Sequence, residues 1–176
     1  MANITGTQGD DTLIGTEDAD RIKGKKGDDV IRGLGGADDI RGDGGADTIE
    51  VAGADAEFDR MRGGQGQDVL YVYTPDDIVL DEFRNTSLET VQGGQGVINI
   101  KGNADANRLD FTGVTFVDIG SVLGGQGDDK ITGTQGDDSL VGGAGADELK
   151  GGRGDDHLFV DADDVERKIE GGQGYD

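Results

Sequence analysis

The chain has no cysteine, no tryptophan, one proline and one histidine among 176 residues. Without thiols there is no disulfide framework and no thiol chemistry. With a single imidazole, zinc and copper sites lack their usual ligands. One proline excludes collagen. Aromatic residues make up 5% and apolar residues of all kinds 32%, too little for a wide globular core. No apolar run approaches the ~20 residues of a membrane-spanning helix. The start, Met1-Ala2-Asn3-Ile4-Thr5-Gly6, has neither the basic n-region nor the apolar h-region of a cleavable signal peptide. Positive charge is scarce too: 16 Lys and Arg face 38 Asp and Glu, a formal net charge of −22. Nucleic acid and anionic membrane surfaces would repel such a chain. Its natural counterions are cations.

What the chain has in excess is glycine, 35 residues of it, and the glycines are in phase. Gly6-Thr7-Gln8-Gly9-Asp10-Asp11-Thr12-Leu13-Ile14 sets a nine-residue pattern: glycine, any, any, glycine, any, aspartate, any, aliphatic, any. It restarts at Gly15, Gly24, Gly33, Gly42 and Gly63, and again at Gly124, Gly133, Gly142 and Gly151. Glycine-rich acidic chains are often disordered, but aliphatic residues here recur with the period. A nine-residue period of this type reads as a calcium-binding parallel β-roll. The fold class is therefore all-β, a β-solenoid. Two calcium-binding roll sections, 1–71 and 124–176, flank a wider β-helix section at 72–123. The wide section holds β-branched and aromatic runs at 69–73, 78–80, 97–100 and 114–117. Its turn at Gly93 carries Val97 and Ile98 where carboxylates belong, so it should hold no metal. The repeat from Gly102 has Asn107 in place of the aspartate and reads as degraded. Residues 51–62 form a decorated coil, echoed at 160–170. The repeat is broken off at Asp176, which predicts continuation into a longer solenoid or end-to-end stacking.

Consecutive nonapeptides lie on opposite edges of a flattened roll, so turn n stacks on turn n+2, about 4.8 Å away. Backbone carbonyls and the sixth-position carboxylate offer hard oxygen donors of the type Ca²⁺ takes six to eight of. The candidate ligands are Asp11, Asp20, Asp29, Asp38, Asp47, Asp68, Asp129, Asp138, Asp147, Asp156 and Asp176. The expected pairs are Asp11 with Asp29, Asp20 with Asp38, Asp29 with Asp47, Asp47 with Asp68, Asp129 with Asp147, Asp138 with Asp156, and Asp156 with Asp176. They imply about seven ions between turns n and n+2. Without metal, stacked carboxylates ~4–5 Å apart repel by roughly 3–4 kcal/mol at an effective dielectric of ~20, so binding and folding should be one event. The fifth-position residues Asp10, Asp28, Asp128, Asp137 and Asp155 read as solvent-facing. Asp18 replaces the fourth-position glycine, in a left-handed conformation that Asp tolerates better than most; the Asp20 site is the weakest.

The repeats, seen best in Gly124-Gly125-Gln126-Gly127-Asp128-Asp129-Lys130-Ile131-Thr132, resemble those of the RTX (repeats-in-toxin, haemolysin-type calcium-binding) family. The resemblance implies a right-handed parallel β-roll, with calcium held by aspartates and backbone carbonyls of stacked turns. It also implies a secreted or cell-surface bacterial protein, exported unfolded by a type I system. The family's C-terminal export signal is not seen in this sequence.

No His-Glu-x-x-His or Gly-x-Ser-x-Gly is present, and His157 sits alone at an outward seventh position; no enzyme activity is expected. The Gly33-Leu34-Gly35-Gly36 run lacks the context of a nucleotide loop. Two functions remain. One is a calcium-rigidified structural or assembly module of an adhesin, surface layer or filament. The other is a secretion and folding accessory of an exported enzyme or toxin. The partners expected are calcium and, through end-to-end association, further solenoid; neither nucleic acid nor membrane insertion is expected.

Overall fold

The computed structural model of the protein describes residues 1–84, 86–164 and 169–176. Short β-strands separated by tight turns run its whole length, with one 3-10 turn at Gly53–Ala56 and no α-helix among the described residues. Every strand pairing is parallel. The nonapeptide explains the brevity. Three residues between turns can extend, as in Thr12–Ile14 and Val30–Arg32, and only the middle one faces inward. Where the strand continues into the following glycines, as in Arg21–Lys26, the first-position glycine is buried as well.

Four sheets result. The first stacks Asn3–Thr5, Arg21–Lys26, Asp39–Gly44 and Arg60–Gln65, and the second runs from Thr12–Ile14 through Val30–Arg32, Thr48–Val51, Val69–Val72 and Thr90–Gly93 to Thr115–Val117. The third holds Ile78–Val79, Ile98–Lys101, Ile119–Gln126, Ser139–Ala144 and His157–Phe159. The fourth holds Glu82–Phe83, Arg108–Asp110, Lys130–Thr132, Glu148–Arg153 and Ile169–Gln173. Coils up to Gln65 thus have two strands, those between Val69 and Val117 have three, and later coils have two again. The middle is wide because the first sheet stops while two others begin. Coil length follows: eighteen residues separate equivalent positions in the plain coils of the rolls, twenty-one across the decorated coil at 51–62, and twenty-one or twenty-two in the centre.

Each sheet contributes one apolar column to a continuous core. Ile4, Ile22, Ile40 and Met61 align in the first sheet. Leu13, Ile31, Ile49, Leu70, Val91 and Phe116 align in the second. In the wide section the column thickens: Phe83 stacks on Phe111 at 4.7 Å between ring centroids, and Phe111 meets Phe116 edge-on at 4.9 Å. Ile98, at the Gly93 turn, is buried in this core, whereas Val97 is exposed. The degraded repeat joins the fourth sheet through buried Leu109. Part of the second decorated coil, 165–168, lies outside the described residues.

Candidate metal centre

The turns bring the sixth-position aspartates into columns. Along each column the carboxylate of one coil accepts, through Oδ1, the backbone N–H of the aspartate one coil earlier in seven pairs among the described residues. Asp11 donates to Asp29 at 2.8 Å, Asp20 to Asp38 at 2.7 Å, Asp29 to Asp47 at 2.9 Å and Asp47 to Asp68 at 2.8 Å. Asp129 donates to Asp147 at 2.8 Å, Asp138 to Asp156 at 3.0 Å and Asp156 to Asp176 at 3.3 Å. All the pairs expected from the n, n+2 spacing are neighbours. The members between coils are buried; Asp11 is half-buried and Asp176 exposed.

Three acids missing from the expected set complete the columns. Asp59 accepts the Asp38 N–H at 2.8 Å, Glu89 that of Asp68 at 2.8 Å, and Asp164 that of Asp147 at 3.0 Å. The first two were findable. Asp59-Arg60-Met61 and Glu89-Thr90-Val91 keep the acid, any, aliphatic order of positions six to eight after the glycines have gone. The third sheet of the wide section carries a different ladder, in which only one member is a carboxylate. Asn99 donates its N–H to Asp77 at 2.8 Å, and Ser121 donates to Asn99 Oδ1 at 3.0 Å.

The fifth-position aspartates are exposed, as expected, but not idle. Asp10 accepts the Asp28 N–H at 2.9 Å, Asp28 that of Ala46 at 2.7 Å, Asp128 that of Ala146 at 2.9 Å, Asp137 that of Asp155 at 2.8 Å and Asp155 that of Tyr175 at 3.0 Å. This second ladder runs in the opposite sense to the first.

The second carboxylate oxygen divides the turns into two kinds. Oδ2 of Asp29, Asp38, Asp47, Asp68, Asp129, Asp147 and Asp156 is buried with no hydrogen-bond partner. In these turns the second position is left-handed, with φ of 94° at Lys25, 71° at Leu34, 75° at Asp43 and 113° at Gly125. The fourth-position glycine is left-handed too, as at Gly27 and Gly127, both with φ of 104°. In the other kind the second residue is threonine and neither position is left-handed. There Thr7 donates N–H and hydroxyl to Asp11 Oδ2, at 2.5 and 2.9 Å. Thr16 does the same to Asp20 at 2.7 and 2.8 Å, and Thr134 to Asp138 at 2.6 and 3.1 Å. The hydroxyl also accepts the fourth residue's N–H, from Gly9, Asp18 and Gly136. This corrects the reading of Asp18. It needs no left-handed backbone, because the threonine turn does not ask for one.

Electrostatics follow burial. Burial pushes Asp47 and Asp129 up to about 6 and Asp59 up to about 7, with N–H bonds opposing and neighbouring carboxylates adding to the rise. Asp29, Asp38, Asp68, Asp138, Asp147 and Asp156 move upward for the same first cause. Asp20 moves down, held chiefly by the Ala2 N–H and then by Thr16.

A buried acceptor without a donor is costly, and here such acceptors recur at one place in successive coils. A Cβ added to Gly42 would collide with Asp47 Oδ2 and approach the Gly63 carbonyl oxygen; one on Gly124 would meet Asp129 Oδ2 and the Gly142 carbonyl. Glycine at the first position therefore leaves room for a carboxylate and a carbonyl to crowd together. Among the described residues no three acidic or histidine side chains converge, so backbone carbonyls must share the load with carboxylates. That all-oxygen, acceptor-only set fits a hard divalent cation such as Ca²⁺, which would supply the positive charge these oxygens lack. Asn107 differs. Its Oδ1 is also unpartnered, but its amide donates to Asn103 Oδ1 at 2.8 Å, and it brings no charge.

Comparison with known protein families places the RTX calcium-binding nonapeptide repeat, in four copies, on residues 3–24, 14–49, 54–79 and 123–164. These spans cover more than half of the chain and fall on most of both rolls. No curated protein matches the sequence.

Proposed function

The chain belongs to the RTX calcium-binding nonapeptide repeat family, and from that premise we propose that it is a non-enzymatic, calcium-rigidified structural module of an extracellular bacterial protein. Calcium binding and the β-roll come with the family. The role as a rod in an adhesin, surface layer or filament is our reading. The partnerless Oδ2 atoms buried in both rolls carry it. They make the folded rolls expensive without a cation and stiff with one. Such coupling lets a chain remain unfolded where calcium is scarce and fold after export. The residues in named roles are Asp29, Asp47 and Asp68 in one column of the first roll, Asp38 in the other, and Asp129, Asp147 and Asp156 in the second roll. Asp11, Asp20, Asp138 and Asp176 supply ladder contacts at the same level.

Circular dichroism in EGTA, followed by calcium titration with light scattering, tests both parts. Coupled folding predicts weak β signal in EGTA and a cooperative gain with calcium. Full β signal in EGTA would sink it. Growth of scattering with calcium supports an assembling rod; a strictly monomeric folded product favours an accessory module of an exported enzyme or toxin instead.

A further inference from the structure

We propose that threonine at the second position of a turn takes the place of calcium, so that the Thr7, Thr16 and Thr134 turns are built-in metal-free joints within a metal-dependent roll. The proposal rests on the family's calcium binding and assigns which turns of this chain depart from it.

The two kinds of turn differ at the atom that matters. Asp129 Oδ2 is buried with no donor, whereas Asp138 Oδ2, one nonapeptide later, receives both the N–H and the hydroxyl of Thr134. A carboxylate oxygen saturated by two donors has little left for a cation. The donors also place positive partial charge where a cation would sit, so binding would first have to break them. The geometry is a closed circuit. Gly136 N–H donates to Thr134 Oγ1 at 3.1 Å, and that oxygen donates onward to Asp138. Thr134 and Asp138 are both buried, so water does not compete for these bonds. The backbone agrees: Gly125 and Gly127 are left-handed, at φ of 113° and 104°, while position 134 and Gly136 are not.

Asn103 uses the same device in the wide section. Its Oδ1 accepts the Asp105 N–H at 2.9 Å and the Asn107 amide at 2.8 Å. There the sixth residue has lost its charge altogether. The threonine turns keep the carboxylate and neutralise it locally.

The sequence permits a reciprocal test with one residue changed each way. Thr134→Gly makes the first four residues of its turn identical to Gly124-Gly125-Gln126-Gly127. Gly125→Thr makes that turn identical to the threonine turn. The probe is calcium alone, counted per chain by native mass spectrometry at saturating concentration. Thr134→Gly is expected to gain one bound ion, and Gly125→Thr to lose one. Asp138→Asn is expected to lose none, whereas Asp147→Asn loses at least one. An unchanged count in Thr134→Gly, or a lost ion in Asp138→Asn, overturns the proposal while leaving calcium binding intact. A wild-type chain that takes up no calcium would instead overturn the function on which the proposal rests. Should Gly125→Thr fail to fold, Thr134→Gly and Asp138→Asn still decide the matter.

Discussion

The rolls and the wide section are one solenoid stabilised in two ways. In the rolls the two-strand coils bury mainly one aliphatic column per sheet, and among the described residues seven of their turns also bury a carboxylate oxygen without a partner. In the wide section the three-strand coils bury several apolar residues each, Phe83 and Phe111 among them, with half-buried Phe116 packed against Phe111. Its polar ladder is paired within the protein: Asp77 accepts from Asn99 and from the Lys101 ammonium at 2.7 Å. The difference fits the proposed role of calcium. On that proposal a thin core makes a coil dependent on a cation. Adding a third face lets the same parallel stacking stand on apolar burial.

The sharpest way to break this comparison is to remove the metal. In EGTA, amide exchange should become fast across 12–65 and 124–159, while protection persists around 78–116. Uniform protection, or uniform loss, would abolish the distinction. Next in size, Phe111→Ala should cost about 3–5 kcal/mol, and chemical denaturation should find that cost with or without calcium. Asp47→Ala should behave differently. It weakens folding in calcium but is neutral or favourable in EGTA, because it removes a buried unpaired oxygen; loss of equal size in both conditions would contradict the cation role. Asp77→Ala should cost about 1–3 kcal/mol in both.

The smallest effect is pH dependence. Carboxylates raised by burial bind protons more tightly folded than unfolded. Their contribution is full below the ordinary value of 3.8 and lost as pH rises through about 6 for Asp47 and Asp129 and about 7 for Asp59. The metal-free rolls should therefore regain β signal as pH falls from about 8 toward 5.5. Asp77 has the opposite sign. Burial raises its value, but the Lys101 and Asn99 contacts together outweigh burial and leave it lowered, so its contribution persists over that window. A flat response in the metal-free protein would refute the assignment.

Much of this was legible in residue order. Period nine marks the two-strand coils, because glycine, aspartate and aliphatic residue each do one steric or chemical task per turn. The pairs of carboxylates followed from stacking alone. Asp59 and Glu89 stand outside the glycine period, because the ladder needs only an acid two residues before a core side chain. The two kinds of turn were hidden for another reason. A threonine hydroxyl that both accepts and donates is invisible to a pattern allowing any residue at position two. The third face of the middle coils left only β-branched runs as a trace, since apolar burial imposes no fixed spacing.

Coils of eighteen, twenty-one and twenty-two residues stack through the same ladders. Extra residues therefore bulge sideways and alter girth without altering pitch. The axial reach of such a rod is counted in windings, not in amino acids. Its flanks can be widened, narrowed or ornamented while the distance it spans stays the same.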